Sequence, residues 1–143
     1  MSEIEAINHN ILVLYKEISF IKTLLLKNLS LNNIFDTIYE TNAWGCGSGS
    51  GSNEELMRGY VAFLEDFMRK NDVKSVVDVG CGDWQFSKNI DYSGISYTGY
   101  DVASFVINAN KEKYSKENVS FVHYSGDFDE VKGADLLICK DVL

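Results

Sequence analysis

The chain has 143 residues, 45% of them hydrophobic, and a formal net charge of −8. That is enough for one domain with a core of its own. The acidic balance, with no basic run, disfavours nucleic acid or an anionic membrane surface as a partner. Cys46, Cys81 and Cys139 are odd in number and lack CxxC spacing. They suit a reducing cytoplasm, and neither they nor the widely separated His9 and His123 make a metal constellation. The start has no basic n-region, and no apolar run reaches the roughly 18 residues of a membrane span, so neither a secretory signal nor a span is expected.

Residues 3–29 carry the clearest helical pattern. Ile4, Ile11, Ile18 and Leu25 repeat every seven residues, with Ile7, Leu14 and Ile21 between them at coiled-coil spacing. The series ends at Asn28, and Leu12, Val13, Phe20, Leu24 and Leu26 add apolar surface outside the seam. Two readings stand side by side. The helix packs on its own domain, or it forms a homo-oligomeric seam. A second helix is expected over Asn32–Trp44, from Ile34, Phe35, Ile38 and Tyr39. Gly45 to Ser52 then alternates glycine with serine and one cysteine. It reads as a flexible linker, or as a mobile lid whose Trp44 end closes over a site.

Ser52 with Glu55 forms a capping box that opens a third helix, with Leu56, Tyr60, Phe63, Leu64 and Phe67 on one face and Arg69 and Lys70 in the last turn. From there strand and helix alternate. Strands are expected at Ser75–Val79, Ser96–Tyr100, Ser120–Tyr124 and Leu136–Cys139, with helices at 85–90 and 102–114. Alternation of this kind implies a parallel sheet with right-handed crossovers.

The chemistry sits at the strand ends. Val76-Val77-Asp78-Val79-Gly80-Cys81-Gly82-Asp83-Trp84 reads as a buried strand turning sharply over a small-molecule site. Gly80 and Gly82 let a ligand approach the backbone, and Asp78 brings a carboxylate to the strand's carboxyl end. Gln85 stands where a dinucleotide fingerprint needs a small residue, and no Lys-Ser/Thr pair follows as in a phosphate loop. Asp101 lies 19 residues after Gly82, near the spacing at which an acid holds ribose hydroxyls; it also suits a helix N-cap. Gly126-Asp127-Phe128 sets an acid beside an aromatic ring after the third strand, as a turn or as the edge and face of a purine site.

These segments resemble the class I S-adenosylmethionine (SAM)-dependent methyltransferases. VVDVGCGDW resembles their first motif, YTGYDVA their second-strand motif, SGDFDEV the segment that flanks adenine, and ADLLICKDVL their fourth strand. The resemblance runs from Ser75 to the terminus. It implies SAM as cofactor, with Asp78 and Gly80 near the amino-acid moiety, Asp101 at the ribose, Asp127 and Phe128 at the adenine, and Cys81, Gly82, Trp84 and Val102 among the binding residues. Trp84 departs from the pattern, standing where the family commonly has a third glycine. The family's sheet has seven strands and this chain is expected to end after its fourth.

The expected architecture is α/β, a Rossmann-like parallel sheet of about four strands with a helical N-terminal extension over 1–44, a Gly/Ser-rich loop over 45–52 and a truncated SAM-binding domain over 53–143. The expected activity is methyl transfer to an oxygen or nitrogen of a small molecule or bacterial glycan. Positioning does most of the work there. A hydroxyl acceptor also needs a base, for which Asp141 is the candidate, though it equally suits a solvated terminal residue. Two alternatives stay open. One is a truncated, inactive fragment that binds cofactor or self-associates, and the other is a different nucleoside-binding Rossmann-like protein.

Overall fold

The computed structural model describes residues 3–26 and 30–142, so Asn28 of the heptad series and Leu143 lie outside the described residues, as does the side chain of Leu26. Four parallel strands, β1 (Ser75–Val79), β2 (Ser96–Asp101), β3 (Val119–His123) and β4 (Leu136–Ile138), lie in the order β3-β2-β1-β4. The chain steps outward from β1 to β3 and then returns to β1's other side. The sheet therefore reverses direction between β1 and β4, and at such a point the carboxyl ends of the strands leave a crevice. Four helices accompany the sheet: α1 (Glu3–Leu26), α2 (Leu31–Thr41), α3 (Arg58–Lys70) and α4 (Ser104–Tyr114). None of the described helices is long and apolar enough to cross a membrane.

The main core lies on one face of the sheet. Val76, Tyr97, Val119 and Phe121 meet Leu64 and Met68 of α3 and Val106 and Ile107 of α4. Cys81 packs there too, against the face of β2, and it explains Gly99. A Cβ at Gly99 would lie 2.9 Å from Cys81 Sγ and 3.1 Å from Phe121 Cδ1. A smaller cluster of Val77, Val79, Tyr100, Val102 and Tyr124 occupies the other face. The register is fixed at the strands' amino ends by Asp135. Its Oδ2 accepts from Lys74 N and Ser75 N at 2.9 Å each and from Ser75 Oγ at 3.0 Å.

Three expectations are corrected. The Ser52–Glu55 capping box does not form, and α3 begins at Arg58 with no side-chain cap. Asn53 Oδ1 instead accepts from Glu55 N and Leu56 N, and Glu54 is drawn to Lys88 and Asn89; together these hold residues 54–57 in a turn. The buried face of α3 is rotated from the expected one, with Leu64 and Met68 inside and Leu56 and Phe63 exposed. The third correction concerns Trp84. It adopts φ +61° and is buried, but its ring is part of the core, between Tyr92 (stacked, 6.2 Å), Tyr97, Tyr114 and Phe121. Its side chain packs the domain and faces no ligand crevice. Trp84→Ala is expected to cost about 3–5 kcal/mol of stability, as large aromatic deletions in cores do. Urea unfolding followed by far-UV circular dichroism measures it, and a loss under 1 kcal/mol would refute the packing role.

Candidate functional site

The glycine loop leaves β1 with Gly80 N and Cys81 N both donating to Tyr100 O, at 2.8 and 3.0 Å. Gly80 and Gly82 have φ +76° and +54°, the left-handed region that glycine enters without a Cβ penalty. Gly82 is held through both of its backbone polar groups. Its N–H donates to Asp101 Oδ2 at 2.9 Å, and its carbonyl accepts from Asn110 Nδ2 of α4 at 2.7 Å. The other Asp101 oxygen accepts from Ala103 N at 2.9 Å. Asp101 therefore joins the loop after β1 to the turn after β2. It is not the cap of α4. Asp36 of α2 fills that role from outside, accepting from Phe105 N and Ser104 Oγ at 2.8 Å each.

Two carboxylates lie under this loop. Asp78 is 4% exposed, and the only hydrogen bond of its carboxyl group among the described residues is the one it accepts from Tyr97 Oη at 2.8 Å. Burial raises its pKa to about 6; the Tyr97 bond opposes the rise, and repulsion from Asp101 adds to it. Burial also raises the pKa of Asp101, against the backbone N–H groups that favour its charge. The Cys81 thiol is pushed well up by burial and by the same acids, so it stays protonated and packs as an apolar group.

The Gly/Ser segment is docked on the glycine loop. Ser48 and Asp83 clasp each other. Ser48 Oγ donates to Asp83 Oδ1 at 2.7 Å, Ser48 N donates to Oδ2 at 3.2 Å, and Asp83 N donates to Ser48 Oγ at 3.0 Å. Tyr39 Oη of α2 is 2.9 Å from Ser48 Oγ, and Gln85 Nε2 donates to the Cys46 carbonyl at 2.6 Å. Burial and the Asp101 charge raise the Tyr39 pKa, so its hydroxyl is neutral. Space is tight at both glycines. A Cβ at Gly82 would come within 2.3 Å of Ser48 Oγ, and one at Gly80 within 2.2 Å of Val142 Cγ2. Beside this contact, Trp44, Ser48, Gly49, Ser50, Gly51 and Asp141 line an open cavity of about 410 Å³. Asp141 has φ +58°, is exposed and pairs with Lys140.

The expected residues thus gather at the carboxyl ends of β1 and β2, with Asp78, Gly80, Cys81, Gly82, Asp101 and Val102 around one loop and Asp141 across it. Asp127 and Phe128 lie at the end of β3. Asp127 Oδ1 accepts from Asp129 N, and Phe128 is 54% exposed, edge-on to Tyr124. Sequence reading missed Asp36, Tyr39, Ser48 and Asn110. Asp36, Ser48 and Asn110 act across long sequence separations, Tyr39 reaches Ser48 from nine residues away, and only the polar position of Asn110 within an apolar helix face hinted at a role.

No family model and no curated protein matches the sequence. Among solved structures, the plantazolicin methyltransferase BamL, in complex with a triazolic desmethylPZN analog and SAH, superposes with a TM-score of 0.50 at 18% identity, over 90% of this chain and 47% of that one. The fold is that of the class I SAM-dependent methyltransferases. Magnesium protoporphyrin IX methyltransferase from Synechocystis PCC 6803 (TM-score 0.46, 16% identity, 97% of this chain and 59% of that one) and the plantazolicin methyltransferase BpumL (0.48, 17%, 88% and 48%) also align. The chain spans 47–59% of the length of these three methyltransferases.

The buried Asp78 has a consequence for stability. Its folded pKa, about 6, lies above the ordinary 3.8. The stabilisation linked to its proton is complete below about pH 4 and is lost as the pH rises through 6, about 3 kcal/mol in all. Asp78→Asn keeps an acceptor for Tyr97 and removes the titration. The variant is expected to lack the decline in stability that the wild type shows between pH 4 and 6. Urea titrations at several pH values test this, and parallel profiles would show that Asp78 does not titrate there.

Proposed function

We propose that the chain binds SAM across the carboxyl ends of β1 and β2 and serves methyl transfer to an oxygen or nitrogen of a small molecule or glycan. The observation that carries this reading is the Asp101 carboxylate locked against the glycine loop at the sheet's point of reversal. Each Asp101 oxygen gives one lone pair to a backbone N–H and keeps another for a ribose hydroxyl. Gly80 and Gly82 provide backbone without side chains, and the exposed Phe128 ring beside Asp127 offers a face and an edge for adenine. The residues present therefore fit a nucleoside with an amino-acid tail.

Bound there, SAM would supply a methyl group on a sulfonium already activated for displacement. The chain's own part is to bind, orient and exclude water. Residues 45–52 serve as the lid, with the Ser48–Asp83 clasp as its latch and Trp44 at its rim. Asp141, which faces the cavity beside the lid, takes the proton of a hydroxyl acceptor. The net charge of −8 favours a neutral or cationic acceptor over nucleic acid.

Titration calorimetry with S-adenosylhomocysteine is the direct test. The wild type is expected to bind. Asp101→Asn keeps only one of the two acceptors that the Gly82 and Ala103 N–H groups use, so its folding is checked first by urea unfolding; the folded variant is expected to lose about 1.5–3 kcal/mol of affinity with the charged acceptor. Absence of wild-type binding would sink the reading, and equal affinities would remove Asp101 from the site. A second measurement addresses the lid. Asp83→Ala removes the Ser48 clasp, so amide exchange at Gly47–Ser50 is expected to accelerate in the free protein. Unchanged exchange rates would mean that the latch lies elsewhere.

A further inference from the structure

The heptad seam of α1 faces solvent along its whole length. Ile4, Ile7, Ile11, Leu14, Ile18, Ile21 and Leu25 are between 51% and 76% exposed. The helix packs on α2 with a different strip, where Phe20, Thr23 and Leu24 are half-buried. Of the two readings of this helix, packing on its own domain holds for the Phe20–Leu24 strip, while the heptad seam itself stays uncovered. Seven seam positions over 21 residues make an apolar stripe about 32 Å long, at 1.5 Å per residue.

We infer that this seam pairs with the same seam of a second copy of the chain, as a parallel, in-register two-stranded coiled coil, in which Leu14 at the central d position favours two strands against the pull of Ile7 and Ile21 at the outer d positions toward more. Charge selects the occupant and its direction. With Ile4 at position a, Glu17 falls at g and Lys22 at e, five residues apart. In a parallel pair the g residue of one helix meets the following e residue of the other, so Glu17 faces Lys22 of the second copy twice per dimer. In an antiparallel pair g meets g and e meets e, and Glu17 never reaches Lys22. Neither residue takes part in an ion pair among the described residues. Of the remaining flanking positions, Asn8, Asn10, Tyr15 and Leu24 are uncharged, and the register sets Glu3 at g against the uncharged Asn8 of the second copy. Three heptads are short for an isolated coiled coil. Here α2 already holds the helix, so less conformational entropy is lost on pairing.

Sedimentation equilibrium on the full chain over a wide concentration range tests the inference. The wild type is expected at twice the 16.1 kDa chain mass. Ile11→Asp with Ile18→Asp is expected to give monomers with an unchanged far-UV spectrum, since both side chains are exposed. Glu17→Lys and Lys22→Glu should each weaken the dimer roughly 2- to 30-fold, and the double swap should restore it. A wild type that stays monomeric, or a dimer that survives the Ile11/Ile18 change, would overturn the proposal. A trimer would overturn the two-stranded form, and a double swap that fails to restore affinity would overturn the parallel register. A monomer that sediments with phosphatidylcholine vesicles through the same isoleucines would assign the seam to a membrane surface instead.

Discussion

The arrangement depends on one residue, Gly82. Its N–H is fixed by Asp101 and its carbonyl by Asn110, so the loop after β1 is tied at once to the end of β2 and to α4. A glycine at φ +54° would otherwise be the most mobile point of the loop. Two buried hydrogen bonds, one to a charged acceptor, are each worth on the order of 1–3 kcal/mol, and leaving either group unpaired would cost a similar amount. The loop's shape is set by these partners before any ligand arrives. Preorganisation of that kind is what positional catalysis requires.

The same economy governs the cap. The segment from α2 to Ser52 makes its apolar contact with the domain through α2, where Ile38 is buried and Phe35 and Tyr39 pack against the core. Its polar attachments include Asp36 on the start of α4, Ser48 on Asp83, Gln85 on the Cys46 carbonyl and Lys140 on the Gly51 carbonyl. Polar attachments exchange readily with water, and segments held by few apolar contacts open at low free-energy cost. The sheet is held differently, by strand pairing and a buried aromatic core. The division fits a rigid half-site under a cover that opens.

Most of the framework was legible because it rests on local patterns. The apolar run at Val76, the four strands, the helix after β2 and the acids at the strand ends each follow from short-range chemistry, and the structure places them within a residue or two of where the sequence puts them, whereas the helix expected at 85–90 is only a short turn over Ser87–Asn89. The failures came where a distant group won. The Ser52–Glu55 box is a sound local signal, but Lys88 and Asn89 hold Glu54 and Asn53 takes the free amides. Asp101 has the sequence position of a helix cap, yet Gly82 uses its second oxygen and Asp36 caps the helix instead. No local pattern announces Asn110 or Ser48, because their partners lie 28 and 35 residues away.

Trp84 shows how such a conflict is resolved energetically. Its backbone is left-handed, which disfavours an L-residue by about 1–2 kcal/mol, and it stands where glycine would carry no such cost. Burying a ring of this size among Tyr92, Tyr97, Tyr114 and Phe121 contributes more, about 3–5 kcal/mol by the cost of deleting one. Packing therefore wins, and it imposes the conformation that glycine would merely permit. A glycine here would leave the loop free to sample other shapes. The tryptophan removes that freedom, so the segment that bears Asp83, the partner of Ser48, is anchored from below by the core and from one side by α4. The sequence breaks the family's glycine pattern at the point where the structure has a larger side chain to do the same work.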